Sequence, residues 1–219
     1  MADGTNRQLG HVPKNVRSQA MHFFLMTQKL LLQFMKMKSS YKAELDILVQ
    51  KKKMEIPTIF SEEAVKTIFS TLEYTPQYLT AIAKQFDDKS SLQPIIEDKR
   101  SFRETLVHFL NFEGLNYNTI YPTFLISKPQ IYPIHAEKDF NRLNLFGDFQ
   151  LEDLLTAFCY ERKKYLNFLK ALKKNDWNKQ MIESGKAREE TIYLMSRKTS
   201  LHDFTHIQIL KFQTNFMFK

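Results

Sequence analysis

The chain has 219 residues, only five glycines and a formal net charge of +8, which suits one helical domain with a sizeable core plus an extension. Its single cysteine, Cys159, excludes an intrachain disulfide scaffold and points to a reducing, cytoplasmic setting. No apolar run approaches the roughly 20 residues of an integral membrane segment, and the densest, Met21 to Met37, is broken by Gln28, Lys29 and Gln33.

The charge is unevenly spread. Residues 1–54 hold ten Lys/Arg and three Asp/Glu, which leaves 22 and 21 for residues 55–219. A nearly neutral remainder argues against a nucleic-acid-binding face. Residues 1–13 are polar and aperiodic and are expected to lack order. From Asn15 to Lys53 the sequence admits helix, and three readings compete. One is a basic amphipathic helix for a membrane surface or organelle, because acidic residues are absent between Gly4 and Lys42. Another is an extra helix packed on the domain. The third is an over-long start, with initiation at an internal methionine such as Met37 or Met54. The abrupt change of composition near Glu55 favours the third. The expected division is a basic extension over 1–54 and a folded domain over 55–219.

Beyond Pro57 the pattern becomes regular. Ser61-Glu62-Glu63 opens a short helix with Val65, Ile68, Phe69 and Leu72 as its apolar positions. Thr75-Pro76 reads as an N-cap followed by proline at the first helical position, predicting a separate helix to about Phe86. Asp87 to Lys99 is a connector. Ser101 and Glu104 form a capping box, which predicts a helix over Phe102–Ile120 that stops before Pro122. Residues 121–147 contain Pro122, Pro129 and Pro133 without a sustained period, and a connection that long crosses a fold or covers a site. Leu151 to Leu172 gives a third long helix ending near Lys173-Lys174, whose charges suit the negative end of its dipole. Asn175 to Lys186 is a turn region, with Trp177 closing the end of the bundle. A last helix is expected from Glu189-Glu190 to about Phe216. Four principal helices with a long crossover between the second and third describe an all-α four-helix bundle.

The informative string is Leu201-His202-Asp203-Phe204-Thr205-His206. Histidines at i and i+4 lie one above the other on a helix, so both imidazoles can reach one ion. Their line runs through Ile192, Met195, Ile209 and Phe216, which turns the pair inward. The same spacing also arises by chance on exposed helix faces. It is not the HExxH of a metalloprotease, since no glutamate occupies the gap, and without a Glu-x-x-His a di-iron site is not indicated. His108, with helical neighbours Phe112 and Leu115, also faces an apolar interior. Convergence of all three would explain three buried imidazoles together. A buried His108 hydrogen-bonded to Asn111 or to a backbone carbonyl is the alternative. Asp203 is expected to point aside, His135 to lie on a surface loop, and Cys159 to act as a small buried hydrophobe. His11 and His22 belong to the extension.

Several pieces occur in a telling order: Tyr74-Thr75-Pro76-Gln77-Tyr78-Leu79; Lys99-Arg100-Ser101-Phe102-Arg103-Glu104 leading into Leu106-Val107-His108; Glu161-Arg162-Lys163; Asn175-Asp176-Trp177; and His202 through Ile209. In this order and spacing the chain resembles the DinB/YfiT-like superfamily of metal-dependent enzymes over about Phe60 to Phe216. It departs from that pattern at Phe102, where a tryptophan-serine pair is frequent. The resemblance implies a four-helix bundle whose metal ligands are His108, His202 and His206. Three protein ligands leave positions open for water or substrate, as in catalytic sites. Zinc or nickel suits three imidazoles. Glu104, one turn before His108, is a candidate to orient that ring, although the capping box already accounts for it.

The resemblance also implies a metal-dependent enzyme, either a transferase of the thiol-dependent S-transferase type or a hydrolase. The expected partners are a small-molecule substrate such as a low-molecular-weight thiol, and a second copy of the chain in a homodimer. The other reading is a non-catalytic, stress-related metal-binding or interaction bundle.

Overall fold

The computed structural model describes residues 41–94, 96, 99–131, 143–185 and 189–217. The expectations for residues 1–40, including His11 and His22, and for His135 lie outside them. The chain divides into two compact units, Met1–Asp46 and Ile47–Lys219. Residues 41–55 are helical (α1), of which 47–55 belong to the second unit. That unit continues through α2 (Glu62–Ala83), the short α3 (Asp88–Ser91), α4 (Phe102–Ile120) and a 3-10 turn (Tyr121–Phe124). After β1 (Gln130–Ile131) come α5 (Leu151–Ala171), a second 3-10 turn (Lys174–Asn178), β2 (Gln180–Glu183), β3 (Glu189–Thr191) and α6 (Ile192–Met217). Helices α2, α4, α5 and α6 form the four-helix bundle. No helix of the described residues is long and apolar enough to cross a membrane.

The start of α4 follows directly from its sequence. Ser101 Oγ accepts the Glu104 N–H at 3.1 Å, and Glu104 Oε2 accepts the Ser101 N–H at 2.7 Å. Two of the first-turn donors that lack intrahelical partners are thereby met. Helix α2 corrects the expectation of two helices. Ser61 caps its N-terminus through a 3.1 Å bond from the Ala64 N–H, and the helix then runs unbroken through Pro76. Thr75 is no N-cap, because its hydroxyl donates back to Thr71 O at 3.0 Å. Pro76 has no N–H to offer the carbonyl four residues earlier, Leu72 O. That carbonyl accepts Arg162 Nη1 at 3.0 Å instead, which satisfies the acceptor that the proline leaves open.

Two apolar clusters fill the bundle. One gathers Ile68 and Leu72 of α2, Ile120 of α4, Tyr165 and Leu169 of α5, and Ile192 and Met195 of α6, together with Trp177 and Met181. The other gathers Leu79 and Ile82, Phe102, Leu106, Phe109 and Leu110, Leu154 and Phe158, and Ile207 and Leu210. Following the helices from cluster to cluster fixes their directions: α2 and α6 run one way, α4 and α5 the other. Helix α4 packs against both α5 and α6, and α2 against the same two. Neighbouring α4 and α5 are therefore parallel, and a helix of 21 residues is about 30 Å long at 1.5 Å per residue. The connection between them must travel that length back, which accounts for the long crossover. Arg103, whose Nη2 donates to the carbonyls of Gly147 and Phe149, ties the far end of the crossover to the start of α4.

A small sheet was not anticipated. Its order is β1-β2-β3, with β1 parallel and β3 antiparallel to β2. Glu189 to Thr191 form β3 and so delay the start of α6 to Ile192. Gly185, with φ of +82°, follows β2 in the left-handed region that favours glycine. Strands of two to four residues carry too little alternation to register as a sequence period.

Between the clusters lies a buried charged layer drawn from α4, α5 and α6, which also engages the Leu72 carbonyl of α2. The Arg162 guanidinium donates through Nε and Nη2 to both oxygens of Glu113, at 2.7 and 2.8 Å, and through Nη1 to Asp203 Oδ2 at 2.5 Å. Arg162 and Glu113 are 1% exposed and Asp203 is fully buried. Asp203 does not point aside, as its position next to His202 had implied; it occupies the most buried line of α6, with Thr199, Ile207 and Leu210.

Candidate metal centre

Helix α4 delivers His108 and adjacent α6 delivers His202 and His206. His108 Nε2 lies 2.7 Å from His202 Nε2 and 3.0 Å from His206 Nε2. These are the candidate ligands read from the sequence, and the fold brings all three together across 94 and 98 residues of chain. Their neighbours are aromatic. Phe112 stacks on the His202 ring with centroids 3.8 Å apart and planes 12° from parallel. Phe109 meets His202 and His206 edge-on.

The hydrogen-bonding capacity of three imidazoles does not account for this arrangement. A neutral ring offers one N–H and one lone pair. Whichever tautomer His108 adopts, its Nε2 can make one linear hydrogen bond, not two. One of the two Nε2–Nε2 contacts of His108 is therefore not a hydrogen bond. A cation meets this donor set, since it accepts a lone pair from each ring. Nitrogens held tetrahedrally at about 2.0–2.1 Å from zinc would be about 3.4 Å apart, so the 2.7 and 3.0 Å contacts would open by about 0.7 and 0.4 Å.

Electrostatics keep the site ready. Burial, then the neighbouring His202, His108 and Arg100, hold the His206 pKa down to about 2. His206 is therefore a neutral imidazole with an available lone pair. Behind His202, Asp203 Oδ1 lies 3.5 Å from Nδ1. Burial raises the Asp203 pKa, but the Arg162 charge and the contact with His202 outweigh it, and the net direction is down. Burial is also the largest influence on Glu113, and there it prevails over Arg162, leaving that carboxyl above its ordinary value.

Glu104 Oε2 is engaged by the Ser101 N–H, and Asp203 is the carboxylate found against a histidine Nδ1. Sequence reasoning missed Glu113 and Arg162. The available signal was that each falls on an apolar helical line, Glu113 four residues after Phe109 and Arg162 four after Phe158. A cleft of about 400 Å³ borders the same stretch of α4; its walls include Arg100, Glu104, Val107, Asn111 and Phe146. That volume is within the usual range for small-molecule sites.

No family model and no curated protein sequence matches this chain. Among solved structures it is similar to YfiT from Bacillus subtilis, described as a probable metal-dependent hydrolase with an unusual four-helix bundle topology. The likeness has a TM-score of 0.65 at 15% identity and covers 74% of this chain and 91% of that one. At this identity the comparison speaks to the fold, and on that level it agrees with the resemblance seen in the ordered motifs. The chain has a four-helix-bundle fold like that of YfiT.

Proposed function

We propose that the chain is a metal-dependent hydrolase in which His108, His202 and His206 hold one divalent transition metal. The observation that carries this reading is the convergence of three Nε2 atoms, from two helices, on one point that their own hydrogen bonds cannot satisfy. Held by these three imidazoles, such an ion would supply Lewis-acid chemistry and activate water near neutral pH. Zinc or nickel fits a three-imidazole donor set. The same chemistry applied to a low-molecular-weight thiol gives the S-transferase form of the reaction, which differs only in the nucleophile.

This chain's own residues have clear tasks. His108, His202 and His206 bind the ion, while Phe109 and Phe112 exclude water from the back of the rings. The cleft along α4, whose walls include Arg100, Glu104 and Asn111 but none of the three histidines, takes a small-molecule substrate. The lone Cys159 fits a cytoplasmic protein, and a homodimer is part of this reading. The proposed boundary places the basic extension at 1–54.

The test begins with elemental analysis of untagged protein, followed by thermal melts with and without chelator. One equivalent of metal, removable with the fold retained, is expected; hydrolysis of ester, amide or phosphoester panels should then depend on re-added metal. Protein with no bound metal and no melting shift on adding zinc or nickel overturns the proposal. Collapse of the fold on chelation would mark the ion as structural.

A further inference from the structure

We propose that Asp203 and Arg162 are positioning residues that select the tautomer of His202, so that its Nε2 lone pair faces His108 and His206. The inference rests on the metal reading above but is written in groups of this chain alone. Asp203 Oδ2 is taken by Arg162 Nη1 at 2.5 Å, which fixes the rotation of the carboxylate and presents Oδ1 to His202 Nδ1 at 3.5 Å. An ionised carboxylate only accepts hydrogen bonds. The proton of His202 is therefore favoured on Nδ1, and Nε2 is left bare at the shared point. The ring cannot easily turn over and exchange its nitrogens, because Phe112 stacks on it at 3.8 Å.

Arg162 is itself held by a rigid frame. Both Glu113 oxygens take its Nε and Nη2, and Nη1 also reaches Leu72 O, the carbonyl left without a helical partner by Pro76. A fork pinned by α2 and α4 thus orients a carboxylate on α6, one residue from a ligand. Partners of this kind behind a metal-bound histidine typically change metal affinity by about 10–100-fold when removed.

Asp203→Asn separates positioning from mere packing. The amide has the carboxylate's shape, but Arg162 only donates, so it claims the amide oxygen and turns the NH2 toward His202 Nδ1. His202 must then accept at Nδ1 and carry its proton on Nε2, the wrong tautomer for the site. Arg162→Met releases the carboxylate instead and weakens the preference without reversing it.

The experiment reads the ring nitrogens of metal-free protein by 15N NMR and zinc affinity by chelator competition, with circular dichroism as the check on folding. Expected are an Nδ1-protonated His202 in the wild type, an Nε2-protonated one in Asp203→Asn, and a 10–100-fold weaker zinc Kd in that variant. If a folded Asp203→Asn keeps the wild-type tautomer and a zinc Kd within twofold, the inference is overturned, even if its melting temperature falls. If Asp203→Asn does not fold, Arg162→Met decides, since an unchanged tautomer population and zinc Kd would likewise overturn it. A wild type that takes up no zinc defeats the metal reading, and the His202 tautomer in the metal-free variants still decides the positioning claim.

Discussion

The buried charged layer and the part-buried histidine cluster are adjacent sets of polar side chains, and neighbouring residues of α6, Asp203 and His202, belong to one each. In the layer, donors and acceptors answer one another: the Arg162 fork meets Glu113, Asp203 and the Leu72 carbonyl. In the cluster, three ring nitrogens converge, and of the two contacts that His108 Nε2 makes there only one can be a linear hydrogen bond. The layer is the more deeply desolvated of the two, and a second difference lies in where the lone pairs end. A polar set that closes on itself stabilises one arrangement of the helices; a set left open at a common point is shaped for a ligand.

The largest effect should come from breaking the closed set. Arg162→Ala leaves Glu113 and Asp203 buried without their cation, and a loss of about 3–5 kcal/mol is expected from urea unfolding. The open set should respond differently. His206→Ala should leave the metal-free protein's stability nearly unchanged but abolish the gain on adding zinc, about 2.7 kcal/mol at one hundred times the wild-type Kd; melting curves with and without zinc check this. A large loss of metal-free stability in His206→Ala would mean that the cluster too is structural.

Smaller changes sharpen the comparison. Ser101→Ala removes the cap at the start of the helix that carries His108 and should cost about 1 kcal/mol by the same unfolding measurement. Pro76→Ala is expected to stabilise by less than about 1 kcal/mol, well under the roughly 3 kcal/mol that separates alanine from proline inside a helix, because Arg162 already satisfies Leu72 O. In an Arg162→Ala background the same change should gain more, and a double-mutant cycle measures that coupling.

The limits of helix α4 were legible because a capping box and a following proline mark its two ends in local chemistry. The histidines were legible for a related reason: i and i+4 on α6 is a helical neighbour relation, whereas His108 joined them through the ordered motifs. Helix α2 was divided at Pro76 because the donor that meets the Leu72 carbonyl, Arg162, lies 90 residues beyond Leu72. Charged residues default to the surface, so Glu113, Arg162 and Asp203 were hidden until their mutual pairing in three dimensions was visible. The short strands carried no period to read, and their pairing partners are likewise distant in sequence.

Trp177, the chain's single tryptophan, is 5% exposed, with Phe60 and Phe69 each 6.3 Å away between ring centroids. It belongs to the apolar cluster on the other side of the charged layer from Phe109 and Phe158. The molecule therefore carries an intrinsic fluorophore in one half of its core and its imidazoles near the other. Emission that follows zinc addition would report communication through the Arg162 layer, while emission indifferent to zinc yet lost on unfolding would show the two halves to be optically independent.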